Sequence, residues 1–186
     1  MNVAARVAAM ALAVLFAGCA YTTETTLDPQ YQTVHVAPFL NNSREYDLQA
    51  PLTNAVTRKF IQDGRLRVVP KAEADLLIEG IILGYGLQGM TTDEDDEATQ
   101  FLTVVSAGVR LTNNHTGEIL WQDTEMAGET SFYTRAAGAP ADRLRGNAET
   151  FLPAVRSFQT AEENRAAAEA LEQLASDIFY RTIDPW

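Results

Sequence analysis

The first stretch whose spacing could do chemistry is residues 84–89, GYGLQG, which matches the G-x-G-x-x-G fingerprint of dinucleotide-binding folds. In that fingerprint a helix begins at the glycines, and its N-terminus holds the pyrophosphate. Here the acidic run Asp93–Glu97 follows instead, and its carboxylates would repel a phosphate. The pattern therefore favours glycines that bend a twisted strand over a nucleotide site.

The acidic run and the histidines are the next candidates, as ligands of a metal ion. Asp93–Glu97 lacks the D-x-[DN]-x-[DN]-G loop that binds Ca²⁺, so we predict a solvated hairpin tip. His35 lies in a predicted strand and His115 in a predicted turn, and neither has a second ligand at metal spacing or a serine or cysteine partner. We therefore predict structural roles for both, with no cofactor, no metal and no enzymatic activity.

Cys19 is the only cysteine, so it cannot form a disulfide within the chain. It follows Val7–Phe16, an apolar run that is too short to span a bilayer and is preceded by Arg6, which predicts a signal peptide over residues 1–18. The alternative, a buried core cysteine, is disfavoured because Cys19 precedes every core pattern. Its context, Leu-Phe-Ala-Gly-Cys, resembles the lipobox of bacterial lipoproteins, which implies lipidation of Cys19. Ala20, in place of an aspartate, resembles lipoproteins that are sorted to the outer membrane.

Composition sets the remaining bounds. The 186 residues are 46% hydrophobic and 21% charged, which predicts one globular domain with a core. The net charge of −11 argues against nucleic acid as a partner. Residues 19–32 are rich in threonine and predict a lipidated tether, and residues 33–186 predict the single domain.

The domain begins with a predicted strand, helix and return strand between Thr33 and Val69. Val34 and Val36 alternate with other residues until Pro38 ends the strand. A helix is predicted next, because apolar residues recur at helical spacing until Asp63-Gly64. Its predicted buried stripe is Leu48, Leu52, Ala55, Val56 and Phe60. Together these elements predict a parallel strand pair with a right-handed crossover.

Three longer strands are predicted to follow. Residues 74–87 are apolar on both alternating faces, which is typical of a strand covered on both sides. Residues 88–100 form a polar tip, and residues 101–112 return as the second strand of a hairpin. After a turn at residues 113–117, a further strand reaches Phe132, with a predicted bulge near Asp123.

A final helix is predicted from Thr160 to about Ile183, and Thr160 and Glu163 have the spacing of a capping box. We expect Asp177 and Arg181 to pair on its outer side. Its predicted buried stripe is Ala167, Leu171, Leu174, Ala175, Ile178 and Thr182. The order β-α-β-β-β-α predicts an α+β fold, in which a four-stranded mixed sheet carries two amphipathic helices on one face.

In this order the segments resemble the LptE family, outer-membrane lipoproteins that form the lipopolysaccharide export complex with the barrel protein LptD. Members commonly have Gly after the lipidated cysteine, where this chain has Ala20. The resemblance covers residues 19–186. It is carried by Cys-Ala-Tyr at 19–21, Val-His-Val-Ala-Pro-Phe at 34–39 with Asn41-Asn42 after it, Leu-Thr-Asn-Ala at 52–55, the segments 63–69 and 74–80, Thr-Gly-Glu-Ile-Leu-Trp at 116–121 and the alanine-rich final helix.

The resemblance implies a domain that plugs an LptD-type β-barrel and supports lipopolysaccharide transport and assembly. It also implies a lipid anchor in the bacterial outer membrane, on the periplasmic side, and contact with lipopolysaccharide. Basic residues at a sheet-edge loop make that contact in the family. The corresponding tip here is Asp93–Glu97, so no lipopolysaccharide site can be carried over to any position.

A second resemblance leaves an alternative open. Val-Ala-Pro-Phe followed by Asn-Asn also resembles the opening of CsgG and LpoB type domains, which implies a lipoprotein that regulates or scaffolds another envelope machine. Those domains lack the paired later strands that end in Gly-Glu-Ile-Leu-Trp.

The partner contacts are predicted on the strand at residues 74–87, because two helices can cover only one of its apolar faces. Leu77 and Ile78 point to opposite sides, so we expect one to lie in the core and the other against a partner. Phe151 and Phe158 are further candidates, because residues 151–158 could instead fold back over the same face.

Overall fold

The computed structural model describes residues 27–92, 98–133 and 161–184. Two helices are present in these ranges, α1 (Gln49–Asp63) and α2 (Ala161–Ile183), with a short 3₁₀ turn at Lys71–Glu73. The strands are β1 (Thr33–Val36), β2 (Leu40–Asn41), β3 (Arg67–Val68), β4 (Leu76–Thr92), β5 (Ala98–Asn113) and β6 (Ile119–Tyr133).

The strands form one mixed sheet in the order β3-β1-β4-β5-β6, with β2 also beside β4. β1 runs parallel to both β3 and β4, and β4, β5 and β6 form an antiparallel meander. The α+β class, the parallel unit and the hairpin are thus confirmed, but the predicted number of four strands was wrong. Three long strands join β1, and β2 and β3 are each two residues long, too short to show a period-2 pattern.

Both helices pack on one face of the sheet, and the core lies between them. The predicted stripe of α1 is buried, and α1 ends as expected at Gly64, whose φ is 77° and whose N–H donates to Phe60 O at 3.0 Å. The predicted stripe of α2 is buried as well. The rings of Phe60 and Phe179 meet edge to face at 5.1 Å, which joins the two helices.

The polar contacts of α2 differ from those predicted. Thr160 lies outside the described residues, and Glu163 accepts a hydrogen bond from Tyr85 Oη at 3.1 Å. Arg181 does not pair with Asp177; it forms an ion pair with Asp123 of β6 at 3.1 Å. Its guanidinium also lies 5.7 Å from the centre of the Trp121 ring, so the sheet rather than the helix surface supplies its partners.

Two irregularities in strand pairing set which side chains face the helices. Between Ile82 and Gly84 the β4–β5 register shifts at Leu83, and Tyr85 beyond it packs against the core. Between Asp123 and Met126 the β5–β6 register shifts by one residue, which confirms the bulge predicted near Asp123.

Gly128 permits the close contact between β6 and α2. A Cβ atom at this position would overlap the carbonyl oxygen of Ala170 and lie 2.9 Å from Leu174 Cβ. A glycine is required there because the helix backbone approaches the strand directly.

The packed part of the chain begins before the predicted domain boundary at residue 33. Leu27 is buried in the core cluster and Tyr31 packs against it. Residues 27–32, the last part of the predicted tether, therefore belong to the folded domain.

Candidate functional site

The sheet face opposite the helices is the candidate functional site, and we call it the open face. Its central strand is β4, whose residues Leu77, Glu79 and Ile81 alternate with the buried residues of the core face. Glu79 and Ile81 are only partly buried there. Leu83, at the bulge, extends the same row.

Exposure rises along this row. Leu77 is 6% exposed, because His35 of β1 and Thr112 of β5 flank it as cross-strand neighbours. Leu83 is 42% exposed, and Leu40, which pairs with Ile81 across β2 and β4, is 66% exposed. The end of the row near Leu83, together with Leu40, is therefore an apolar surface that is exposed to solvent.

A shallow groove of about 540 Å³ runs across this surface. Gly108 of β5 lies opposite Ile81, and the absence of a side chain there deepens the groove. Its lining combines Leu40, Gly80, Ile81, Leu83, Gly108 and Val109 with Glu79, Arg110, Gln122, Asp123 and Thr124.

One ion pair lies on the open face. Arg110 Nη2 lies 2.7 Å from Glu79 Oε2 across the β4–β5 ladder, and both side chains are partly exposed. An exposed pair of this kind contributes less than about 1 kcal/mol to folding. Its effect is to cancel the charge of both side chains beside the groove.

Of the predicted contact pair, Ile78 lies in the core and is fully buried, whereas Leu77 lies on the open face. Cys19, Phe151 and Phe158 lie outside the described residues. Leu40 and Leu83 were not among the predicted contact residues, although Leu83 shares the alternating face of Leu77 and Ile81 in the sequence. Leu40 follows Pro38 in a segment without alternation, and Leu83 is placed by a bulge that depends on pairing with β5.

The glycine-spaced stretch at residues 84–89 lies inside β4, and no helix begins there. The stretch therefore lacks the helix N-terminus of the dinucleotide fingerprint, and it is part of a strand whose pairing register shifts at both of its ends. Both histidines have structural partners: His35 Nδ1 lies 2.9 Å from Val69 O, and His115 Nε2 lies 3.4 Å from Asp75 Oδ1. Within the described part of the chain, no group of three or more His, Cys, Asp or Glu side chains could hold a metal ion.

The Asp75 carboxylate accepts several hydrogen bonds from the chain that leads into β1. Its Oδ2 accepts hydrogen bonds from the N–H groups of Gln32 and Thr33, both at 3.0 Å, and from Thr33 Oγ1 at 2.7 Å. These bonds lower the pKa of Asp75 to about 2, and the bond from the Gln32 N–H has the largest effect. Asp75 is therefore a structural anion rather than a proton donor.

Tyr85 shows the opposite effect on the core face. Burial, together with the nearby Glu163 carboxylate, raises the pKa of its phenol, so the hydroxyl stays protonated and donates to Glu163. This contact ties the start of α2 to β4.

The fold defines a two-layer α+β domain with helices on one side of a mixed sheet and an open apolar face on the other. The chain matches the family model LptE: Lipopolysaccharide-assembly over residues 31–182, and it belongs to that family.

Solved structures with a similar chain path share little sequence with this protein. A hypothetical protein from Chlamydia trachomatis is 12% identical, with 81% of this chain and 96% of that chain covered and a TM-score of 0.49. A minor lipoprotein from Acinetobacter baumannii is 10% identical, with 82% and 93% covered and a TM-score of 0.47. The comparison with curated proteins gives no match. Neither helix, over its described residues, is long and apolar enough to cross a membrane.

Proposed function

We propose that this protein is an outer-membrane lipoprotein, lipidated at Cys19, that binds and plugs an LptD-type β-barrel and supports lipopolysaccharide transport and assembly. The family assignment supports the process, and the open face supports the mode of binding. The proposed role is binding rather than catalysis.

The observation that carries the proposal is the apolar row on the open face. Leu40 and Leu83 reach solvent beside a groove, on the side of the sheet opposite to the one that packs against the helices. Exposed apolar patches beside polar residues mark docking surfaces for other proteins. A barrel wall would supply the second cover that an apolar β4 requires.

Charge on the open face is compatible with a protein partner. Arg110 is already paired with Glu79, so docking would not bury a lone cation there. The same pairing makes Arg110 a poor phosphate ligand. The proposal therefore assigns barrel binding to this face, and it does not require direct contact with lipopolysaccharide.

Co-purification with the barrel from detergent-solubilised outer membranes tests the proposal. Leu40→Glu and Leu83→Glu place a charge on the docking face, and we expect each to weaken capture at least about tenfold, which corresponds to about 1.4 kcal/mol. Ile61→Glu is the matched control, because Ile61 is 64% exposed on α1, on the opposite side of the molecule.

Wild-type capture by both open-face variants would refute docking through this face. Isolation of the wild-type protein with a different envelope assembly, and without the barrel, would favour the CsgG and LpoB type alternative. The paired variants Leu77→Glu and Ile78→Glu extend the test. Ile78→Glu should unfold the domain, and Leu77→Glu, at a position that is only 6% exposed, should destabilise the domain as well as weaken capture, so Leu40→Glu and Leu83→Glu are the variants that isolate docking.

A further inference from the structure

The N-terminal arm, residues 27–32, is fastened to one end of the sheet, which we call the base. β1 and β4 begin at the base, because they run parallel from Val34 and Leu76, and β5 ends there at Asn113. The β4–β5 hairpin lies at the other end. The arm therefore joins the domain at a defined position rather than along a flexible linker.

Apolar and polar contacts hold the arm at both of its ends. Leu27 is buried in the core cluster, and Asn113 Nδ2 donates to Tyr31 Oη at 3.3 Å. Gln32 donates its N–H to Asp75 Oδ2 and accepts at its carbonyl from the N–H of Arg67, both at 3.0 Å. The arm is thus bonded on two sides as it enters β1.

Asp75 is itself locked to the base. Its N–H donates to Thr33 Oγ1 at 2.9 Å, and its carbonyl accepts from the N–H of Asn114 at 2.7 Å. Asn114 Nδ2 donates in turn to the carbonyls of Lys71 and Ala74, at 2.7 and 2.9 Å. One hydrogen-bond network therefore joins the arm, the start of β4 and the β5–β6 turn.

We propose that the fastened arm holds the base of the domain close to the lipid bilayer and leaves the hairpin end as the free end. This inference rests on the proposed lipidation of Cys19. Only residues 20–26 then lie between the lipidated residue and the arm, so the chain from Cys19 to Leu27 spans at most about 29 Å. β4 has 17 residues, so the hairpin end lies about 50 Å from the base.

For the proposed barrel complex, the consequence is a defined orientation of the domain relative to the membrane, which we call its polarity. If the base stays beside the inner leaflet of the outer membrane, the hairpin end is free to enter the barrel lumen. The chain between the lipid and the arm is too short for the base to reach far into that lumen. The polarity comes from the covalent anchor and the arm rather than from surface charge, so it should not depend on salt.

Energy transfer on vesicles tests this polarity with the full-length acylated protein. Its sole natural cysteine carries the lipid, so a second cysteine can be labelled alone. Glu118→Cys marks the base, and Met90→Cys marks the hairpin end, where Met90 is 54% exposed. On vesicles of phosphatidylethanolamine and phosphatidylglycerol with acceptor-labelled headgroups, transfer from position 118 should exceed transfer from position 90 at least about twofold, given the distances above.

A matched variant carries a flexible Gly-Ser insertion between Thr26 and Leu27, about as long as residues 20–26. It leaves every contact of the arm intact, and it should reduce the difference between the two labels. Equal transfer from both positions without the insertion would overturn the inference. If the acylated protein does not attach to vesicles at all, the lipid anchor and this inference both fail. Because no barrel is present, failure of barrel docking would leave the result unchanged.

Discussion

The two faces of β4 are similar in sequence and different in environment. Leu76, Ile78 and Ile82 face the helices and are fully buried, whereas Ile81 is only partly buried on the open face and Leu83 is 42% exposed. One strand therefore presents apolar side chains to a packed core and to solvent. Apolar residue type alone does not tell which face the chain itself covers.

What separates the two faces is how closely another element approaches. On the core face α2 reaches the backbone of β6 at Gly128, and α1 and α2 meet through Phe60 and Phe179. On the open face, the groove is lined by apolar side chains, by the exposed Glu79–Arg110 pair and by Gln122, Asp123 and Thr124. The first face is optimised for folding, and the second is available for association.

The largest loss of stability is expected when a charged side chain is placed on the core face. Leu174→Asp or Val56→Asp would bury an unpaired carboxylate at a fully buried position, which costs several kcal/mol against a total stability of about 5–15 kcal/mol. We expect either variant to unfold, as measured by circular dichroism and thermal melting. Ile61→Glu, on the exposed side of α1, should melt like the wild type, and unchanged melting of both core variants would show that these stripes are not the core.

A smaller effect is expected when the close approach of α2 is disturbed. Gly128→Ala places a methyl group against the Ala170 carbonyl, so α2 or β6 must shift, at a cost of about 2–3 kcal/mol in unfolding free energy. Gly86→Ala is the matched control, because a Cβ at Gly86 meets nothing within 4 Å. Equal denaturation midpoints for the two variants would contradict the close contact.

A change of pH tests a contribution to stability that comes from neither face of the sheet. Asp75 stabilises the base through hydrogen bonds rather than through apolar packing. Its folded pKa, about 2, lies below the usual 3.8, so its contribution is present above pH 4 and is lost as the pH falls towards 2. We expect Asp75→Asn to lower the unfolding free energy by about 1–2 kcal/mol at pH 7 and to match the wild type near pH 2. Urea titrations at several pH values measure this difference.

Asp177 provides a control of opposite sign. Desolvation raises the pKa of its carboxyl, so ionisation of Asp177 disfavours the folded state, and Asp177→Asn should not destabilise the protein at neutral pH. If Asp75→Asn and Asp177→Asn showed the same pH dependence, the hydrogen bonds of Asp75 would not be the cause.

The smallest effect on stability is expected on the open face. Leu40→Glu and Leu83→Glu change exposed positions, so the unfolding free energy of the isolated domain should move by no more than about 0.5 kcal/mol. The same variants are expected to weaken barrel capture. A large loss of capture with a small change in unfolding free energy would therefore distinguish the open face from the core face. A loss of stability comparable to that of Gly128→Ala would mean that the open face is also part of the folding core.

The helices and the hairpin could be predicted from the sequence because their signals are local. Leu52, Val56 and Phe60 recur at helical spacing and Gly64 ends α1, so this element follows from neighbouring residues alone. The stripe of α2 and the β4–β5 hairpin are confirmed for the same reason. Leu77 and Ile78 lie on opposite sides of β4, as the period-2 alternation predicts.

The remainder depends on pairing between distant segments. The two-residue β2 exists only because it pairs with Ile81 and Ile82, and the bulge at Leu83 is defined only against β5. Arg181 takes a partner on β6 rather than the helix neighbour that i,i+4 spacing suggests. Likewise, threonine-rich composition predicted a tether through residue 32, whereas Leu27 packs into a core formed by later parts of the chain.

The bonds between Thr33 and Asp75 also bear on the order of folding. They join residues 42 positions apart, whereas β5 and β6 are connected by a short turn, so closing the first contact costs more chain entropy than closing the second. We expect the β4–β6 meander to form early and β1 to join it late, although β1 comes first in the sequence. Mutations at Thr33 should then mainly accelerate unfolding, and mutations at Val105 should mainly slow folding. Until β1 joins, the N-terminal strand would remain an unpaired chain, and under the proposed lipidation of Cys19 it would do so beside the membrane.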